Sequence, residues 1–180
     1  MKTSFYTEQE LSQLGLKSYG ENVRISRYAQ IYSPEKISIG DNVRIDDFCI
    51  LSGNITIGSH IHIAAYCALY GADYGIVMED YTGLSARATI YAAMDDFSGE
   101  YLIGPIHDSR CTNIIGGKVI LNEYSQIGAG AMLFPDIVVG EGAVLGAMSM
   151  AKCDLEPWTI NAGIPAKFLK ERTKTLLRYI

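Results

Sequence analysis

A spacing of six runs through most of this chain and restricts what it can fold into. Leu121, Ile127, Leu133, Val139 and Leu145 stand six residues apart, and Ala151 continues the phase. Six is a whole multiple of the two-residue repeat of a strand but not of the 3.6-residue repeat of a helix. These side chains therefore keep to one face only in extended structure that turns at regular intervals. Four places after each comes a second position, mostly small: Ser125, Ala131, Ile137, Ala143 and Ser149. Small side chains there suit a tight, inward-facing corner. The first half repeats the rhythm with Ile39, Ile45, Leu51, Ile57, Ile63 and Leu69. Glycine follows the aliphatic residue at Gly40, Gly58, Gly128, Gly140 and Gly146, where a turning backbone gains from lacking a Cβ.

Each six-residue unit reads as one flat face of a parallel β-helix, and three units make a coil of 18 residues. Stacked coils then bury a continuous core that no coil could bury alone. A step of 18 sets Ile45 under Ile63, Gly40 under Gly58, Gly128 under Gly146 and Ala131 under Ser149, so like meets like. The same step brings Cys49 beside Cys67, about 4.8 Å apart at ordinary strand spacing. A disulfide is sterically conceivable there, but both occupy the small-corner position, and two reduced core thiols are expected. The four cysteines, at 49, 67, 111 and 153, form no CxxC pair, which leaves a zinc knuckle or thioredoxin-like motif unsupported.

The repeat has two interruptions. The phase slips near GADYGIV (71–77), and a longer excursion, YAAMDDFSGEYLIGPIHDSRCTN, covers 91–113. Long irregular excursions from a rigid scaffold often carry function. Ahead of the repeat, Thr7 and Glu10 form a capping box before Leu11 and Leu14, predicting a short N-terminal helix. Behind it, Pro165 opens AKFLKERTKTLLRYI, which reads as a C-terminal helix with proline in its first turn. Trp158 follows Pro157 at the end of the last coil and is expected to cap the core. The chain is thus read as one all-β domain, 1–180: a helical segment over 1–19, a β-helix over 20–160 and a helix over 161–180.

No apolar run approaches the roughly 18 residues of a membrane helix, and the start, MKTSFYTEQE, has no basic region followed by an apolar stretch. A cytoplasmic protein without membrane insertion is expected. The net charge of −5 argues against a nucleic-acid backbone as partner, although Lys167, Lys170, Arg172, Lys174 and Arg178 crowd the C-terminal end.

The units IGDNVR, IGSHIH, IGAGAM and VGEGAV, the stretch EPWTINAGIPAKFLKE and the excursion resemble the hexapeptide-repeat acyltransferase family. Within it the chain is most similar to the galactoside and maltose O-acetyltransferase branch and to acetyltransferases of bacterial surface-polysaccharide clusters. The resemblance implies a left-handed β-helix, a homotrimer with sites between subunits, acetyl-CoA as acyl donor, a sugar or nucleotide-sugar acceptor, and a histidine as general base. No metal is expected in that reading.

Acetyl transfer needs a base for the acceptor proton and a donor for the oxyanion formed at the thioester. Histidine, with an ordinary pKa of about 6.5, suits the first task. His62, beside Ala64 and Ala65, sits where some sugar N-acetyltransferases of the family carry a histidine; its other reading is a turn histidine stacked on the next coil. His107 lies in the excursion, as a base or as an ordinary loop residue, and His60 is assigned to a coil turn. The galactoside branch has its histidine about where this chain reads MDDFSGE. Here Asp95, Asp96 and Glu100 are candidates to bind sugar hydroxyls instead. For coenzyme A, Gly128, Ala129, Gly146 and Ala147 offer close backbone approach, and Lys152, Lys167 and Lys170 offer charge for phosphates. Cys153, next to Lys152, is assigned to packing. Two other classes remain open: a zinc hydratase similar to γ-class carbonic anhydrases, using His60 and His62, and a non-catalytic scaffold.

Overall fold

Extended segments of two or three residues cannot persist alone, and in the computed structural model, which describes residues 4–180, each is paired with a neighbouring coil, except in the excursion, where Ala93–Asp95 and Ile114–Gly116 pair with each other. One face of the solenoid stacks Arg24–Ile25, Arg44–Ile45, His62–Ile63, Gly83–Leu84, Gln126–Ile127, Val144–Leu145 and Thr159–Gly163, all parallel. Longer strands, including Ile50–Ile57 and Ala68–Met78, build the other faces and run round their corners. The six-residue positions line the interior: Ile39, Ile45, Leu51, Ile57, Ile63, Leu69, Leu121, Ile127, Leu133, Val139 and Leu145 are all buried in one continuous core. Coil spacing is 18 where Ile45 pairs with Ile63 and Ile127 with Leu145. Ile63 pairs with Leu84, three residues later than that spacing gives, because the 71–77 slip lengthens its coil.

The corners turn through residues in left-handed conformation: Asn42 (φ 55), His60 (φ 60), Tyr81 (φ 59), Tyr124 (φ 61), Gly142 (φ 64) and Trp158 (φ 57) form one such column. Asn42, His60 and Gly142 stand two places after Gly40, Gly58 and Gly140, the glycines that the spacing assigns to the turn. Gly128 serves close stacking instead, since a Cβ there would lie 2.4 Å from the backbone nitrogen of Ala147 on the next coil. Strained corners are offset by contact along the column: Asn22 donates to Asn42 at 2.9 Å, and the rings of His60, Tyr81, Tyr124 and Trp158 follow in successive stacks.

Thr7 and Glu10 make both bonds of the capping box, but the helix is a single turn, Glu8–Leu11, held by Leu11 in the core and by the pairing of Arg27 with Glu10. The rest of the 1–19 helical segment is not helical among the described residues, and Met1 to Thr3 lie outside them. The C-terminal helix over 161–180 does not form. Ala166–Glu171 is a strand, antiparallel to Thr159–Gly163, followed by a 3₁₀ turn at Thr175–Tyr179. The last rung presents unpaired backbone groups, and pairing with them outweighs the weak helix preference of a short polar segment. Trp158 caps this end, 5% exposed, with the Lys174 ammonium 5.0 Å above its ring. No described helix is long and apolar enough to cross a membrane.

Candidate active site

Alternation along the rungs decides what the outer surface displays. Ile63, Leu84 and Ile127 point inward, so His62, Gly83 and Gln126, one residue earlier, point out. Gly83 leaves a gap between two long side chains; a Cβ there would meet Gln126 Oε1 at 2.5 Å. The resulting cavity, of about 450 Å³, is lined by His60, His62, Tyr81, Ser85 and Gln126 among others. Gln126 Nε2 donates to the carbonyl of Tyr81 at 3.1 Å, which fixes that wall.

His62 Nε2 lies 2.7 Å from Asp46 Oδ2, and Asp46 Oδ1 accepts from Arg44 Nε at 2.7 Å. Burial pushes the Asp46 carboxyl up, but the hydrogen bonds from His62 and Arg44, with their charges, outweigh it and hold it below the usual carboxylate range. A carboxylate on Nε2 keeps that nitrogen protonated and leaves Nδ1 as the acceptor, the form a general base requires. His60 lies flat on Tyr81, ring centroids 4.6 Å apart, in the corner column.

The excursion begins as a hairpin: Ala93–Asp95 pairs antiparallel with Ile114–Gly116. Beyond it, Asp96 N–H donates to Asn113 O at 3.0 Å, Asn113 Nδ2 donates to Asp96 Oδ2 at 2.8 Å, and Leu102 N–H donates to Cys111 O at 2.8 Å. The Asn113 side chain and the Ser98 N–H hold the Asp96 carboxyl low, so this residue is consumed in shaping the loop. Glu100 is exposed on the loop and lines neither of the cavities beside it.

Asp95 stands between those two cavities. One, of about 420 Å³, is bounded by Asp95, Gly104, His107, Ser109 and Thr112. The other, of about 380 Å³, is apolar: Tyr91, Met94, Phe97, Met132 and Phe134 enclose it with Asp95. Asp95 Oδ1 accepts one backbone bond, from Gly104 N–H at 3.2 Å. Burial, with Tyr70 beside it, raises the Tyr91 phenol, which stays protonated. His107 is thus brought to Asp95, whereas His62 lines a cavity that shares no residue with either of these two.

The proposed coenzyme residues are dispersed. Gly128 and Gly146 are closed over by the next coil, while Ala129 and Ala147 are exposed at a corner. Lys152 lies 5.3 Å above the Phe134 ring, at the edge of the apolar cavity. Lys167 joins Cys153, Asp154 and Phe168 round a cavity of about 530 Å³ under the terminal hairpin, and Lys170 pairs with Ile160 on the same strand. Cys49 and Cys67 are buried free thiols, each donating to a carbonyl at 3.1 Å. Among the described residues, no three His, Cys, Asp or Glu side chains converge as a metal site.

Ser85 and Gln126 are hidden from a reading of the spacing because two insertions break the 18-residue phase: the three-residue slip sets where Gly83 and Ser85 fall against His62, and the excursion separates Gln126 from its partner Gly83. Asp46 is within its reach, since 18 residues on lies Ala64, two beyond His62.

Residues 36–71 match the family model for bacterial transferase hexapeptide (six repeats). The dTDP-4-amino-4,6-dideoxy-D-glucose acyltransferase of Escherichia coli is 44% identical over 177 residues, 97% of this chain and 92% of the relative. AntD, an N-acyltransferase from Bacillus cereus solved with dTDP and 3-hydroxybutyryl-CoA, has a TM-score of 0.97 at 50% identity, covering 99% of this chain and 95% of that one. A serine-to-cysteine variant of AntD, holding dTDP-4-amino-4,6-dideoxyglucose and coenzyme A, has the same TM-score and identity, over 99% and 96% of the two chains. With that identity along almost its whole length, and the six-residue repeat built into a solenoid, the chain belongs to the hexapeptide-repeat acyltransferases and is an enzyme of that class.

Proposed function

We propose that the protein transfers an acyl group from acyl-coenzyme A to the amino group of a dTDP-linked aminodeoxysugar, as a homotrimer with its sites between subunits. The observation that carries this reading is the position of Asp95 between one apolar and one polar cavity. The apolar side takes the acyl tail, the polar side takes the sugar, and the carboxylate orients the amine where they meet. An amine acceptor also accounts for an excursion that lacks the galactoside-branch histidine. Aliphatic ammonium groups release a proton near the lysine value of about 10.4, far more readily than alcohols do, so the loop needs a group that positions nitrogen more than a strong base.

The nitrogen attacks the thioester carbonyl; the C–N bond forms, the C–S bond breaks, and the nitrogen's proton passes to His62 and from there to the departing thiolate. His62 is the better base, because Asp46 holds its Nε2 and leaves Nδ1 free to accept; His107 contacts the sugar on the Asp95 side. His62 and Asp95 line separate open cavities of one chain, and a trimer brings them together by facing the His62 side of one copy with the Asp95 side of the next. Lys152, Lys167 and Lys170 meet the coenzyme phosphates, with Ala129 and Ala147 beside the pantetheine. The acylated sugar nucleotide then serves surface-polysaccharide assembly.

Subunit mixing tests this. His62→Ala and Asp95→Asn are each expected to lower kcat/KM by about 10²-fold or more. Co-refolded in equal amounts, the two inactive variants should regain about a quarter of wild-type activity, because half of the His62 sides and half of the Asp95 sides remain intact in a random closed ring. No recovery on mixing would contradict sites shared between subunits. Full activity in either single variant would remove that residue from the mechanism.

A further inference from the structure

The 71–75 slip has no part in the acyl-transfer reading, yet it is built with care. Ala68–Met78 pairs with Ile50–Ile57, but the register jumps so that Gly53 faces Ala72 and Ile55 faces Ile76, and residues 73–75 stand out from the ladder. The bulge is tightly seated. A Cβ on Gly71 would lie 2.3 Å from the carbonyl oxygen of Asn54, Gly75 turns with φ of 98°, and Lys36 Nζ holds Asp73 at 3.0 Å. Tyr74 rides on its crest.

The Tyr74 ring lies against Gly116. A methyl group there would come within 2.1 Å of its Cε2 and 2.2 Å of its Cζ. Gly116 pairs with Ala93 in the hairpin that starts the excursion, and two residues along the same strand Asp95 faces Ile114. The neighbouring Gly117 donates its N–H to Ala92 O at 3.0 Å, and a Cβ on it would lie 2.4 Å from Asp136 Cβ. The neck of the excursion is therefore gripped between the Tyr74 bulge on one coil and Asp136 on another. Two adjacent glycines let the backbone sit that close, and a ring is rigid enough to act as the stop.

We infer that Tyr74 is a positioning residue: its ring, seated on Gly116, sets the stance of the excursion and thereby keeps Asp95 between its two cavities and His107 opposite it. The phase slip is the device that delivers the ring. For its kinetic consequence the inference rests on the acyl-transfer reading; for its structural consequence it does not.

The test uses Tyr74→Ala, Tyr74→Phe, Gly116→Ala and the double variant Tyr74→Ala/Gly116→Ala in the full chain. Arg110 is the only Lys or Arg between residues 93 and 116, so trypsin cleavage after it reports the stance of the excursion. Tyr74→Ala and Gly116→Ala should each speed that cleavage and raise KM for dTDP-4-amino-4,6-dideoxyglucose roughly ten-fold, without a matching fall in the urea midpoint. Tyr74→Phe should behave as wild type, since the ring and not the hydroxyl is the stop. The double variant should be no worse than Tyr74→Ala, because the added methyl then meets nothing. If Gly116→Ala does equal harm with the ring present or absent, or if Arg110 cleavage is unchanged in all variants, the inference is wrong. A wild-type protein that fails to turn over the sugar nucleotide overturns the acyl-transfer reading alone, and the trypsin comparison still decides the role of Tyr74.

Discussion

Replacing Trp158 with alanine removes the piece that closes one end of the solenoid, and the structure sets the size of the effect. The residue is only 5% exposed; its ring fills the space above Gly142, where a Cβ would lie 2.5 Å from Cε3, and it reaches Tyr124 at a centroid distance of 6.2 Å. Truncating a buried tryptophan costs about 3–5 kcal/mol, and losing the Lys174 contact at an exposed site adds about 0.5–1 kcal/mol. A total of about 3.5–6 kcal/mol is a large share of the roughly 5–15 kcal/mol that stabilises a domain. With a urea m-value of about 2 kcal/mol/M, the midpoint should fall by about 2–3 M. Far-UV circular dichroism is the assay, since the substitution removes the only tryptophan. In a solenoid each coil leans on its neighbours, so the same m-value with a lower midpoint means the cap stabilises the whole stack. A loss under about 1 kcal/mol would refute the cap as argued.

Acid should act first on the N-terminal segment. The Thr7 backbone and side chain, followed by Arg27, pull Glu10 from its ordinary 4.5 down to about 2. The stabilisation is therefore complete above about pH 4.5 and drains away as pH falls toward 2, so amide protection at Leu11 should drop over that window while core amides near Ile127 hold. At the other end, Arg172 donates from Nη1 to the carbonyls of Tyr124 and Gly142, each at 2.8 Å. Arg172→Ala should cost about 1–3 kcal/mol by leaving both without that partner, read as a lower midpoint in the same urea titration.

What is legible in the sequence follows from period. A six-residue spacing that keeps Ile45, Ile63, Ile127 and Leu145 inward is a direct imprint of stacked coils, and the spacing alone marks out the core and makes neighbours of Cys49 and Cys67. The same arithmetic misleads wherever the period breaks. Ser85, Gln126 and the Gly83 gap lie past the slip, and only a known register shows that they face His62. The glycines do mark the corners, but for a different reason: the left-handed residue is His60 or Asn42, two positions on, while glycine answers the crowding of the next coil. The terminal segment reads as helix because its polar, charged composition tolerates one; the open edge beside Thr159–Gly163, which makes it a strand, is a tertiary fact. The two cavities at Asp95 depend on a hairpin formed across the excursion, which no periodicity announces.

The most direct measurement is a single assay: purified protein with acetyl-CoA or 3-hydroxybutyryl-CoA and dTDP-4-amino-4,6-dideoxyglucose, following free coenzyme A thiol and the mass of the sugar nucleotide together. Stoichiometric thiol release with one acyl group gained on the amino sugar is the predicted result. Thiol release without an acylated sugar, or acylation of an unaminated dTDP-sugar at an equal rate, would contradict the account.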